Sequence, residues 1–166
     1  MINITLDRLM IKGSVLEMNG VAADSYFAGH VAAFAYEQLI EDAHTFSFET
    51  VMSDPRKLDM FRAAKEAGYR IYLYFICTED PQINIARIDQ RVAEDGHDVP
   101  DATVIKRYSK VFEHLHDAVN LCHRVYFFDN SGEAPVLFAE VEDVQFAMKA
   151  TAPKWFVDFT NRHERK

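Results

Sequence analysis

The sequence predicts an α/β fold, a mostly parallel sheet flanked by helices, and three observations carry that expectation. The chain has 166 residues of which 49% are apolar, enough to build the core of one domain over residues 1–166. Strand-like and helix-like segments alternate along it, the order expected of a parallel sheet covered by helices. The unbroken apolar run IYLYFIC, Ile71 to Cys77, has the length and composition of a central strand buried on both faces.

Taken in order, the N-terminal INITLDRLMIKGSVLEM is ambiguous: Lys12-Gly13 can turn a hairpin, or part of the segment can be helical. From Ala22 to Ala43 apolar residues recur at helical spacing, with Asp24 and Ser25 as capping groups near the start. FSFETV, beginning at Phe46, reads as a strand. Pro55 to Ala67 reads as a helix that Gly68 stops, and YRIYLYFIC follows as the buried strand.

The segment from Asp80 to Glu94 is helical, GHDVP is a loop, and Asp101 to Asn120 is a second helix with Asp101 at its N-cap. Arg124 to Phe128 and Val136 to Val141 supply two further strands, split by the turn Asp129-Asn130-Ser131-Gly132. The tail from Pro153 to His163 holds the only Trp and reads as a short amphipathic helix against the sheet.

Composition narrows the function. Lys and Arg total 18 against 26 Asp and Glu, a formal charge of -8 that argues against non-specific binding to nucleic acid or anionic membrane. Any anion site must then be a local concentration of basic residues. The longest apolar run is too short to span a bilayer, and no basic region followed by an apolar stretch opens the chain, so the expected location is the cytoplasm. Cys77 and Cys122 lie in or beside apolar runs without CxxC spacing and read as reduced core thiols.

Three places offer chemistry. In FSFETVMSDPRK an acid and a hydroxyl residue, Glu49 and Thr50, close a strand, and in an open parallel sheet ligands bind beyond the carboxyl ends of strands. A carboxylate there can orient or deprotonate a substrate hydroxyl; the bland alternative is an exposed strand end. Arg87 and Arg91 are four apart on one helical face, where like charges repel unless an anion neutralises them. With Lys106, Arg107 and Lys110 on the next helix they resemble a lid over polyphosphate, although Asp89, Glu94 and Asp95 can serve as ordinary counter-charges. His97, in the loop, either touches a ligand or caps the turn. Asp129 and Asn130 end another strand, as a structural turn or as a nucleotide-proximal loop. Among the seven histidines, His114 and His116 face different sides of a helix, so no metal site is expected.

Together FSFETVMSDPRK, GYRIYLYFICTEDPQINIARIDQRV, GHDVP, KRY and FFDNSG resemble the zeta-toxin-like group of P-loop kinases, in that order, from about Ser25 to Gly132. The resemblance implies a P-loop kinase-like sheet, ATP and Mg²⁺ as cofactors, a small-molecule phosphate acceptor such as a nucleotide sugar, and an antitoxin partner. It implies that Glu49 and Thr50 line the substrate pocket and that Arg87, Arg91 and Arg107 belong to the arginine-bearing lid. Two departures are small: Asp95-Gly96-His97 replaces Gly-Gly-His, and Lys106-Arg107-Tyr108 replaces Arg-Arg-Tyr. A third is large, because the sequence contains no GxxxxGK[ST] phosphate-binding loop. The expected catalytic acid of an Asn-x-Asp motif has only Asp7, wrongly spaced from Asn3, as a candidate. The domain therefore reads as N-terminally truncated: INITL moves into the sheet, a complementing N-terminal chain supplies the strand, or the chain is an incomplete product of a longer or interrupted gene.

Overall fold

The computed structural model describes residues 2–4, 10–11, 14–15, 25–96, 98–142 and 145–163. They divide into two compact units, Met1–Val51 and Met52–Lys166, and each is described by itself.

In the first unit, β1 (Ile2–Ile4) pairs in parallel with β4 (Phe46–Phe48), Asn3 opposite Ser47. Ile2–Ile4 is thus a strand alongside FSF. The short strands β2 (Met10–Ile11) and β3 (Ser14–Val15) are antiparallel, which is the pairing a hairpin through Lys12-Gly13 requires. Helix α1 (Ser25–Glu41) buries Tyr36, 3% exposed, whose ring lies 5.8 Å from Phe46 and 5.1 Å from Phe48. Alternation at Phe46 and Phe48 thus does place both rings on one face. The helix ends with Ala43 at φ 55, while the His44 N–H reaches the Leu39 carbonyl at 2.9 Å, a left-handed C-terminal cap built without glycine.

The second unit is built on a four-stranded sheet, β5 (Tyr72–Cys77), β6 (Arg124–Asp129), β7 (Val136–Glu142) and β8 (Gln145–Met148), in that spatial order. β5 and β6 are parallel, whereas β6–β7 and β7–β8 are antiparallel. The sheet is therefore mixed rather than mostly parallel, because the turn after Asp129 is too short for the crossover that a parallel neighbour needs.

One row of cross-strand neighbours, Phe75, Phe127 and Ala139, is buried, and so is the next, Val125 with Val141. Phe138 is an extra residue at a bulge opposite Phe127 and Phe128; its carbonyl accepts from Lys149 and Ala150 N–H groups at 2.8 and 3.2 Å, so the irregularity leaves no unpaired acceptor. Onto this face packs α5 (Lys154–His163), with Trp155 5.4 Å from Phe138 and Phe156 5.0 Å from Phe127. Burying each such ring contributes about 2–3 kcal/mol.

Helices α2 (Arg56–Glu66) and α3 (Pro81–Ala93) both pack on α4 (Asp101–Leu121). α2 buries Leu58, Phe61 and Ala64, and α4 buries Val111, Leu115 and Ala118, at intervals of three or four that keep each set on one helical face. Gly68, at φ 84, ends α2 as expected, with its own N–H on Lys65 and that of Tyr69 on Ala64.

Two expectations change. Tyr72, Tyr74 and Ile76 are 45%, 61% and 55% exposed, so β5 is not buried on both faces. Among the described strands it lies at the edge of its sheet, and the described ring contacts of α4 and α5 fall on the Phe75 side. Asp101 is the first helical residue rather than the cap, since Pro100 holds the N-cap position without a side-chain bond. The true side-chain cap is Asp80, which accepts from the Gln82 N–H at 2.8 Å at the start of α3.

Candidate functional site

The parallel pair β5–β6 ends at Cys77 and Asp129, side by side in register. Beyond it, the Asn130 N–H extends the ladder to the Cys77 carbonyl at 2.7 Å. Thr78, 3% exposed, turns its hydroxyl onto the Asp80 carbonyl at 3.1 Å. The Glu79 N–H donates to Ser131 Oγ at 2.7 Å, and that hydroxyl donates to Asp129 Oδ1 at 2.7 Å. The two strand-end loops are thereby stitched to one another.

Both flanking helices are tied to these loops. Arg87 on α3 donates from Nη2 to the Gly132 carbonyl at 3.0 Å. Tyr108 on α4 donates its phenol to the Thr78 carbonyl at 2.8 Å, with the Glu79 carbonyl at 3.2 Å. The Glu79 carboxylate accepts from the N–H of Lys154 at 3.1 Å, favourable beside the partial positive charge at the N-terminus of α5. A cleft of ≈ 240 Å³ lies alongside, with Glu79, Tyr108, Phe112 and Asp158 in its lining. Burial pushes the Cys77 and Cys122 thiols up to about 12, so neither is a nucleophile near neutral pH.

Of the residues singled out by sequence, Arg87, Asp129 and Asn130 come together here. Arg91 lies one helical turn further along α3 and is exposed, as are Lys106, Arg107 and Lys110 on α4. Arg107 makes no hydrogen bond or ion pair among the described residues. Glu49, exposed, and Thr50 follow β4 in the first unit. Asp7 and His97 lie outside the described residues. Sequence reasoning passed over Thr78, Glu79, Tyr108 and Ser131, although Thr-Glu-Asp directly after an apolar strand and the Tyr of KRY were visible signals.

The loop between α3 and α4 explains one departure from the Gly-Gly-His pattern. Asp95 stands at φ 62, and the Gly96 N–H closes on the Arg91 carbonyl at 2.8 Å. A Cβ at Gly96 would lie 2.4 Å from Arg91 Cγ and 2.6 Å from its carbonyl oxygen. Asp is among the few residues that tolerate the left-handed position, whereas the second position admits only glycine.

The described residues include no group of three or more His, Cys, Asp or Glu able to hold a metal ion, and the sequence offers no GxxxxGK[ST] to cradle phosphates. No described helix is long and apolar enough to cross a membrane.

An α/β unit whose loops, with Arg87 and Tyr108 of the flanking helices, meet at the carboxyl ends of a parallel strand pair belongs to the broad class that places ligands there. The zeta toxin family model matches residues 20–142, and the chain belongs to the zeta toxin family. An uncharacterised protein of Haemophilus influenzae is 31% identical over 81 residues, 49% of this chain and 58% of that protein. Among solved structures, a chain from the PezAT chromosomal toxin-antitoxin system of Streptococcus pneumoniae matches with a TM-score of 0.50 at 11% identity, over 85% of this chain and 61% of that one. That likeness supports the fold. The chain thus spans about three-fifths of the length of each of these relatives.

Proposed function

We propose that this chain supplies the acceptor-binding and arginine-bearing part of a kinase site, for phosphoryl transfer from ATP to a hydroxyl of a small molecule such as a nucleotide sugar. The ATP-holding strand and loop would come from a complementing N-terminal chain or segment. The observation that carries this reading is the tethering of both basic helices to the ends of β5 and β6, through Arg87 to Gly132 and Tyr108 to Thr78. Arg91 and Arg107, exposed on the tethered helices, would meet phosphate oxygens with their guanidinium groups. Glu49 and Thr50 would position the acceptor, Asp7 remains the candidate acid, His97 a candidate ligand contact, and Asp129 with Asn130 the nucleotide-proximal turn. Family membership supports the reaction class, and the PezAT likeness supports an antitoxin as partner.

A second reading follows from the missing phosphate loop: a non-catalytic module that keeps the fold as a ligand- or protein-binding surface. Calorimetry on the isolated chain separates parts of the two. The kinase reading expects pyrophosphate to bind through the arginines, and Mg·ATP to bind no tighter than pyrophosphate. Absence of any pyrophosphate binding would leave the binding-module reading, and micromolar Mg·ATP binding would mean that another loop of this chain holds the nucleotide.

A further inference from the structure

We infer that Tyr108 is a positioning residue, whose hydroxyl latches α4 to the end of β5 and sets the direction in which Arg107 leaves the helix. Its purpose rests on the anion-binding reading above; its existence rests on geometry alone. The ring of Tyr108 packs edge-on against Phe112 at 5.3 Å, which any aromatic residue would do. The hydroxyl does something further, reaching the carbonyls of both Thr78 and Glu79 at 2.8 and 3.2 Å.

From that point a series of hydrogen bonds runs through the unit. Glu79 N–H leads to Ser131, Ser131 to Asp129 at the end of β6, and Gly132 to Arg87 on α3. Thr78 leads to Asp80, which caps α3. Both basic helices and both strand ends are thereby held without any ligand. Burial raises the Tyr108 phenol well above its usual range, so it remains a proton donor across physiological pH.

Successive residues on a helix are about 100° apart. The Tyr108 bond joins the buried Val104 and Val111 in fixing the rotation of α4, and with it the departure of Arg107 beside it. The backbone that carries Arg107 is held before phosphate arrives, which removes part of the ordering cost from binding.

Tyr108→Phe keeps the ring and removes only the latch, and Ser131→Ala cuts the same series at a second point. Hydrogen exchange of the full ligand-free chain is the first measurement. The first two turns of α4 should exchange about tenfold faster in Tyr108→Phe, with β6 and β7 unchanged. Unaltered exchange in α4 overturns the latch. Pyrophosphate calorimetry is the second, where Tyr108→Phe should bind about 2- to 10-fold more weakly while Arg107 is intact. Wild-type affinity in that variant overturns the positioning role alone. A wild type that binds no pyrophosphate overturns it together with the function proposed above, even if the exchange difference is found.

Discussion

The carboxylate of Glu79, just past the end of β5, accepts the backbone N–H of Lys154 at 3.1 Å across 75 residues of sequence. The last helix of the chain is thus docked by a residue of the strand-end loop, and its aromatic residues are delivered to the Phe127 face. The bond satisfies one of the unpaired donors at the start of α5 and places negative charge where the helix dipole favours it. Glu79→Ala should cost about 1–2 kcal/mol and Glu79→Gln less than about 1 kcal/mol, read as a shift in the urea midpoint. Equal stability of Glu79→Ala and wild type would mean that α5 docks through its apolar face alone.

Three glycines should respond differently to alanine. Gly96 has Arg91 atoms at 2.4 and 2.6 Å from a built Cβ, and the backbone oxygen among them cannot step aside, so Gly96→Ala should lose about 1–3 kcal/mol. Gly68 has open space but φ +84, and its substitution should cost about 1 kcal/mol through strain alone. Gly132 has open space and no left-handed φ, so Gly132→Ala should be neutral within about 0.5 kcal/mol. Thermal melts of the three variants would show that order or refute it.

Ala43 closes α1 at φ 55, a position where a side chain is strained. Ala43→Gly should stabilise the protein by about 0.5–1 kcal/mol, the relief of strain exceeding the extra freedom given to the unfolded chain. A lower melting point in this variant would contradict the cap geometry.

Asp54 accepts from both the side chain and the N–H of Arg56, and these bonds, the side-chain one foremost, lower its carboxyl to about 2. Because the folded value lies below the unfolded one, the stabilisation is complete above the usual carboxylate range near pH 4 and is lost as pH falls toward 2. The pair is largely exposed, so solvent screening limits the effect to less than about 1 kcal/mol. Asp54→Asn should flatten this part of the pH–stability curve, and an identical slope in both proteins would remove the pair from acid sensitivity.

The α/β order, the aromatic tail helix and the Gly68 stop were legible because each rests on local periodicity or a local backbone demand. Helix and strand positions agree with expectation to within a few residues over 55–142. β8 was not legible: QFAM is exposed throughout, shows no alternation, and is held by pairing with β7. The exposure of Tyr72, Tyr74 and Ile76 was hidden for the opposite reason, since an all-apolar strand reads as buried whichever face a helix covers. At the strand ends, sequence singled out Arg87, Asp129 and Asn130 but passed over Glu79. It missed Thr78, Tyr108 and Ser131, whose contribution is to bond backbone groups brought together by the fold.

The central claim, that the basic helices gathered at the strand ends form an anion site, is tested most directly on Arg107. Pyrophosphate affinity of the isolated wild type and Arg107→Ala should be compared by calorimetry at one fixed salt concentration. Removing a guanidinium that makes charge-assisted bonds should weaken binding by at least about tenfold, with the melting temperature of the free protein unchanged because Arg107 is exposed. Equal affinity in the two proteins would contradict the claim and return Arg107 to the solvated surface of α4.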